Sequence, residues 1–179
     1  MNAPITLSFV LICCIVMALD YFTLGRSTTL VFSTYGSSFL KPMTYFRLIG
    51  HVFGHANLSH LLNNMLYILL LGPILEEKYK DKLIYVILVT AIVTGIAHNI
   101  MSPNTMLLGA SGVVFSFILL ASITGDKEGI PLTLIIVALM WIGREIYDSL
   151  YTVDNISQIT HIIGGISGSI MGMTFKTKK

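Results

Sequence analysis

The stretch LLGASGVVFSFILLASIT, residues 107–124, decides the fold. Two glycines flank a serine near its start, and an apolar run long enough for most of a membrane span follows. A glycine before a helix start, with a hydroxyl and the N–H groups of the first turn behind it, is typical of a site that holds an oxyanion. The alternative is helix packing, because Gly and Ser also line tight crossings in membranes.

The composition indicates a membrane protein. Of 179 residues, 54% are hydrophobic and 11% are charged, whereas soluble domains carry roughly 25% charged residues. The mean hydropathy is +0.80. We predict an all-α polytopic membrane protein with residues 1–179 in one domain. A formal net charge of +2 gives no sign of a nucleic-acid partner. The adjacent Cys13 and Cys14 are expected to be buried thiols rather than part of a disulfide framework.

Six apolar segments are predicted to span the membrane. They are residues 7–24, 60–75, 83–101, 111–124, 130–147 and 156–175. The connection between the first two, residues 25–59, is too mixed for a span but rich in Phe, Tyr and Leu, which predicts a loop in the membrane interface with short helices of its own. The first 19 residues carry no Lys or Arg, which favours a retained first helix over a cleaved signal.

The positively charged residues predict the orientation. With both termini in the cytoplasm, seven of the eleven Lys and Arg residues lie inside, namely Lys78, Lys80, Lys82, Lys127, Lys176, Lys178 and Lys179. The four outside are Arg26, Lys41, Arg47 and Arg144. This asymmetry favours cytoplasmic termini. The ends of segments two, four and six that carry His60, Ser111 and His161 then face outward.

Ser111 and His161 are predicted to lie at the same depth. Ser111 is 16 residues before Lys127, about 24 Å of helix, and His161 is 15 residues before Lys176, about 22 Å. In a hydrocarbon core of about 30 Å, both lie somewhat below the outer face. His60, 18 residues before Lys78, lies slightly higher. Three polar side chains therefore converge on one level inside the membrane.

The residues after His161 indicate how it could reach the serine. Gly164 and Gly168 follow it on one helix face, and their G-x-x-x-G spacing allows another helix to approach closely. If that helix carries Ser111, with Gly112 easing the approach, the imidazole can act as general base to the hydroxyl. The alternative role for His161 is an interhelical hydrogen bond.

His60 and Asn64 are four residues apart and share a helix face. Two such donors at the level of the serine could stabilise the oxyanion of an acyl-transfer intermediate. Alternatively, they join helices through hydrogen bonds. A metal site built from His51, His55 and His60 is disfavoured, because their spacing crosses a loop and no carboxylate accompanies them. We expect no metal and no cofactor.

The carboxylates do not complete a triad. Asp148 and Asp154 are the acids nearest to His161, and both are expected in an external loop. A Ser-His dyad is therefore the more economical interpretation. Glu76 lies in a turn of mixed charge that is expected to be mostly solvated, although one carboxylate there could brace neighbouring helices.

Together these motifs resemble the rhomboid family of intramembrane serine proteases. The resemblance covers about residues 7–175 and implies a six-transmembrane-helix bundle with a long interfacial loop between helices 1 and 2. The residues that carry it are Arg47, His51, His55, His60 and Asn64, then Gly109, Ala110, Ser111 and Gly112, then His161, Gly164 and Gly168.

The resemblance implies a role for each matching residue. Ser111 would be the nucleophile and His161 the base and then the acid, with His60, Asn64 and the Ser111 N–H forming the oxyanion hole. Gly109, Gly112, Gly164 and Gly168 would be structural or packing residues, with Glu76 as a bracing carboxylate and Arg47 in the interfacial loop. Phe115 stands where many relatives have a tyrosine, so its stacking near the histidine is retained while a hydroxyl is lost.

The resemblance also implies a substrate and a location. Single-span membrane proteins would enter sideways past the 130–147 helix and the loop near residues 149–158, and would be cut near the outer face of a bacterial inner membrane. The alternative is a catalytically silent relative that binds or chaperones transmembrane helices. A small transporter is disfavoured, because paired charges near the membrane midplane are lacking.

Overall fold

The computed structural model describes residues 3–123 and 158–175, together with positions 132, 135, 136, 139, 140 and 143. Within the two continuous ranges the chain forms seven helices. They are α1 (Pro4–Phe22), α2 (Arg26–Leu30), α3 (Pro42–Gly50), α4 (Leu58–Tyr79), α5 (Lys82–Met101), α6 (Ser111–Ser122) and α7 (Gln158–Thr174). The six further positions are also helical and fall within the predicted fifth span. The rest of that span lies outside the described residues, as does nearly all of the loop predicted near residues 149–158.

Three of these helices are long and apolar enough to cross a membrane. They are α1, α4 and α5, with 19, 22 and 20 residues. At 1.5 Å per residue they measure about 28 to 33 Å, which matches a hydrocarbon core of about 30 Å. The shorter α6 and α7 have 12 and 17 residues. The prediction of an all-α integral membrane protein is confirmed, whereas the count of six spans stays a prediction.

The start of α1 is held against α4 by a buried carboxylate. Glu76 accepts hydrogen bonds from the backbone N–H groups of Ile5 and Thr6, both at 2.9 Å, and from the Thr6 hydroxyl at 2.8 Å. The first N–H groups of a helix have no partner within it, so a carboxylate there meets two unpaired donors and the positive end of the helix dipole. Glu76 is buried, not solvated as expected for that turn.

The two cysteines of α1 differ in environment. Cys13 is fully buried, with its sulfur 3.9 Å from the Val52 carbonyl oxygen. Cys14 is exposed, so the prediction of two buried thiols was wrong for this residue. Neighbouring positions on a helix point about 100° apart. A helix that packs along one face therefore turns the second thiol away from the protein.

The long connection contains α2 and α3 and is tied to the segment before α6 by main-chain hydrogen bonds. Thr34 and Leu107 form an isolated antiparallel bridge, with N–H···O distances of 2.9 and 2.8 Å. The Gly36 N–H donates to the Pro103 carbonyl at 2.9 Å. Within the loop, the Arg47 guanidinium donates twice to the Leu30 carbonyl and lies 4.4 Å from the centre of the Tyr35 ring. These contacts fix the loop beside the serine-bearing segment.

Helices α6 and α7 cross at very short range through glycines. A Cβ atom added to Gly164 would lie 2.5 Å from the Gly112 carbonyl oxygen and 2.9 Å from its Cα. One turn further on, a Cβ at Gly168 would lie 2.5 Å from the Ser116 carbonyl oxygen. Side chains cannot occupy such a gap, so the G-x-x-x-G spacing places α7 directly against the serine-bearing helix.

Candidate active site

Ser111 is the first residue of α6, immediately after a tight turn. Gly109 has a φ of +115°, a backbone conformation that side chains rarely adopt. Its N–H donates to the His51 carbonyl at 2.9 Å. This turn ends the incoming chain and starts the helix at Ser111. The first N–H groups of α6 therefore surround the serine and have no acceptor within the helix.

The side chain of His161 meets that serine. Its Nε2 lies 2.8 Å from Ser111 Oγ, although the two residues are 50 positions apart. His161 is buried on α7, three residues before the glycine that contacts α6. The Phe115 ring lies 4.7 Å from the imidazole, centre to centre, at an interplanar angle of 41°. The two residues that the sequence placed at one depth are thus in hydrogen-bond contact.

Two further polar side chains of α4 face the same turn. An added Cβ at Gly109 would lie 2.7 Å from His60 Nε2 and 3.7 Å from Asn64 Nδ2. Both nitrogens are therefore near one point, two residues before Ser111. Asn64 Nδ2 is buried and has no hydrogen-bond partner among the described residues. A buried, unpaired amide donor costs stability, and such a group facing a nucleophile is suited to bind a developing oxyanion.

A hydrogen bond to the His60 ring favours one of its two neutral forms. The Ala56 N–H points to His60 Nδ1 at 3.5 Å, so Nδ1 is the acceptor. The proton of the neutral ring then lies on Nε2, the nitrogen that faces Gly109. Asn57 caps the same helix, with its side-chain oxygen accepting from the His60 N–H at 2.9 Å. His60 is thereby oriented as a donor toward the turn.

His55 holds the turn from the side of the long connection. Its Nδ1 donates to the Phe53 carbonyl at 3.2 Å, and its Nε2 accepts from the Ala110 N–H at 3.4 Å. Burial, followed by the neighbouring His60, lowers the pKa of His55 to about 4. The ring is therefore neutral near pH 7, as an acceptor for Ala110 requires.

His51 holds the turn through its backbone and is itself anchored to α5. Its carbonyl accepts the Gly109 N–H, and its Nε2 donates to the Ala91 carbonyl at 3.1 Å. Burial lowers the pKa of His51 to about 4. From the sequence, a metal site at His51 and His55 was disfavoured, and neither residue was given another individual role. The structure instead places them against the main chain of residues 109–110.

The remaining predicted residues lie away from this constellation. Glu76 is at the opposite end of α4, and Arg47 lies within the long connection. Asp148 and Asp154 lie outside the described residues. The site that the structure assembles therefore consists of a serine and a histidine in contact, two nitrogen donors beside them, and a glycine turn. Chemically, such an arrangement can supply a nucleophile with its base and a set of donors for an anion.

Comparison with known proteins shows the family of the chain. The family profile described as the rhomboid domain matches residues 42–178. The chain belongs to the rhomboid family. It is 31% identical over 137 residues to rhomboid-related protein 1 of Caenorhabditis elegans, covering 70% of this chain and 38% of that protein.

Bacterial relatives match almost the whole chain. The rhomboid protease GlpG of Serratia proteamaculans is 25% identical over 174 residues, covering 94% of this chain and 61% of that protein. GlpG of Salmonella choleraesuis is 29% identical over 168 residues, covering 90% and 60%. The chain spans 38 to 61% of the length of these three curated relatives.

Proposed function

We propose that this protein is an intramembrane serine protease that uses a Ser-His dyad to cut single-span membrane proteins in or near their transmembrane helix. The observation that carries the proposal is the 2.8 Å contact between Ser111 Oγ and His161 Nε2, on helices that meet through glycines. The names of the bacterial relatives, which are called rhomboid proteases, support the same activity.

The proposed reaction begins when Ser111 Oγ attacks the scissile carbonyl carbon and His161 Nε2 takes the hydroxyl proton. The carbonyl oxygen becomes an oxyanion, which accepts hydrogen bonds from His60 Nε2, Asn64 Nδ2 and the Ser111 N–H. The tetrahedral intermediate collapses as the peptide nitrogen leaves with the proton from His161. Water then hydrolyses the acyl-enzyme, with His161 again acting first as base and then as acid.

The proposal includes a membrane arrangement. Six spans form one domain with both termini in the cytoplasm of a bacterial cell, so the dyad lies below the outer face. Because hydrolysis needs water, a polar cavity must open outward to Ser111. The bilayer and the substrate helix are then the partners. The chemistry calls on no metal or cofactor.

The deciding experiment is cleavage by the purified full chain in detergent. We expect a single-span test substrate to be cut and a fluorophosphonate to label Ser111. Ser111→Ala and His161→Ala should each abolish cleavage, and the double variant should be no worse than either single one, because the residues act as a unit. The melting temperature of Ser111→Ala should stay close to that of the wild type.

Two other outcomes would replace the proposal. Full activity in either single variant would remove the dyad mechanism. A protein that binds the substrate helix but neither cuts it nor reacts with the fluorophosphonate would instead be a silent relative that binds or chaperones transmembrane helices.

A further inference from the structure

Three hydroxyl groups meet in the apolar interior between α5, α6 and α7. Thr90 Oγ1 donates to Ser116 Oγ at 3.2 Å and lies 3.1 Å from Ser167 Oγ. Thr90 and Ser116 are fully buried, and Ser167 is nearly so. Each residue comes from a different helix. We call this group, Thr90, Ser116 and Ser167, the hydroxyl cluster.

The hydroxyl cluster lies beneath the dyad on the same two helices. Ser116 is five residues after Ser111, about 7.5 Å along α6, and Ser167 is six residues after His161, about 9 Å along α7. Because each pair shares a helix, a shift of Ser167 relative to Ser116 also shifts His161 relative to Ser111 by a similar amount. None of the three hydroxyls belongs to the reaction proposed above.

The glycine contact between α6 and α7 does not by itself set their register. Gly164 and Gly168 allow close approach, but they carry no side chains that interlock along the helix axis. The hydroxyl contacts are directional, and at 3.2 and 3.1 Å they are already longer than the usual O–H···O distance of about 2.5–3.0 Å, so a shift of about 1 Å would break them. A buried hydroxyl that loses its partner is costly. The cluster therefore resists both sliding and rotation of α7.

Thr90 is the central member because, of the three hydroxyls, its own lies within hydrogen-bond distance of both others. The Thr90 hydroxyl donates to Ser116 Oγ. The Ser167 hydroxyl can donate either to Thr90 Oγ1 or to the Gly164 carbonyl, which lies 2.7 Å from Ser167 Oγ. Helix α5 is also anchored to the long connection, through the Ala91 carbonyl and His51. Thr90 thus ties α7 to a part of the fold that holds the serine turn.

We propose that Thr90 is a positioning residue, which sets the distance between His161 Nε2 and Ser111 Oγ by holding Ser116 and Ser167 in one register. This inference rests on the proposed protease function. It predicts that removing the Thr90 hydroxyl slows the chemical step, whereas removing its methyl group affects stability instead.

The test compares four variants of the full chain purified in detergent. Thr90→Val keeps the side-chain shape and loses the hydroxyl, while Thr90→Ser keeps the hydroxyl and loses the methyl. Ser167→Ala removes one arm of the cluster. Ser169→Ala is the matched control, because within the part of the chain that the structure describes the Ser169 hydroxyl donates only to the Gly165 carbonyl of its own helix, at 3.1 Å. Cleavage kinetics, melting temperature and the imidazole nitrogen NMR shifts of His161 are measured for each.

We expect Thr90→Val to lower kcat by about 10²-fold with KM unchanged, since a displacement near 1 Å can cost that much. Its His161 nitrogen shifts should move toward those of Ser111→Ala. Ser167→Ala should show a smaller loss in the same direction. Thr90→Ser should melt lower but keep most of its kcat, and Ser169→Ala should behave like the wild type.

Two results would overturn the proposal. One is a wild-type kcat in Thr90→Val. The other is a loss of kcat that follows the melting temperature, so that Thr90→Ser is as slow as Thr90→Val. Failure of the proposed function is separate, because it appears as an unreactive wild type. The nitrogen shifts then still decide whether Thr90 controls the contact between His161 and Ser111.

Discussion

Replacing Gly164 with alanine should inactivate the protein through geometry alone. The new Cβ would lie 2.5 Å from the Gly112 carbonyl oxygen, whereas ordinary contacts of this kind begin at 3.4 Å. The obstructing atoms are backbone, so α6 and α7 must separate by about 0.9 Å, the difference between these distances. A displacement near 1 Å can cost about 10²-fold in rate. We therefore expect kcat to fall about 10²-fold, with a lowered melting temperature from lost packing.

Gly172→Ala provides the matched control on the same helix. Its added Cβ would come closest to the tip of the Leu120 side chain, at 2.6 Å, which can move aside, and would meet Ile123 at ordinary contact distances of 3.4 and 3.8 Å. This variant should keep its activity. The test measures cleavage of a single-span substrate and the melting temperature for the wild type, Gly164→Ala and Gly172→Ala. If Gly164→Ala is as active and as stable as the wild type, the two helices do not meet at this point and the placement of the dyad is wrong.

Three further predictions concern the Asn64 amide, the Glu76 carboxylate and the buried histidines. Asn64→Ala should lower kcat about 10² to 10³-fold with KM little changed; a change in melting temperature alone would make Asn64 a packing residue. Glu76→Gln should cost about 2 kcal/mol of stability, because an amide cannot accept from both backbone N–H groups and the Thr6 hydroxyl at once, while kcat per folded molecule stays unchanged. The pKa values of His51 and His55 are lowered to about 4 in the folded state. Between pH 6.5 and pH 4 the unfolded state therefore binds more protons than the folded state. Stability should therefore be full above pH 6.5 and fall toward pH 4, by roughly 1.4 kcal/mol per pH unit for each ring. Melting curves across this range should show it, and His51→Gln should reduce the slope; a flat profile would contradict the assignment.

The sequence predicted the dyad because depth in a membrane can be counted. Helical rise and the positions of lysines were enough to place Ser111 and His161 at one level, and the glycine spacing indicated which helices could meet. Helical rise and glycine spacing are regular along a single helix, so both can be read from the sequence. The long connection with short helices was predicted for the same reason, since its mixed composition cannot form a span.

The contacts that support the dyad could not be predicted in this way. In α5 the polar residues Thr90, Thr94 and His98 recur every four residues, which indicates a polar face. The pattern does not show that Thr90 lies against α6 and α7. The partners of Glu76 are backbone N–H groups, which leave no pattern in the sequence. The spacing of His51 and His55 disfavoured a metal site, but the sequence could not show their main-chain partners, which are the Ala91 carbonyl and the Ala110 N–H.

The main-chain hydrogen bonds between residues 34–36 and 103–107 also affect how the sequence can change over generations. At Thr34 and Leu107 the bridge uses only N–H and carbonyl groups, so the bridge itself does not depend on which side chains stand there. At Leu107, mutations that preserve volume can therefore accumulate without releasing the loop, although proline would remove the donor outright. Thr34 is more constrained, because its buried hydroxyl also donates to Asn99 Oδ1 at 3.0 Å. Alignments of descendants would therefore record position 107 as the more variable of the two, while the attachment between them is inherited unchanged.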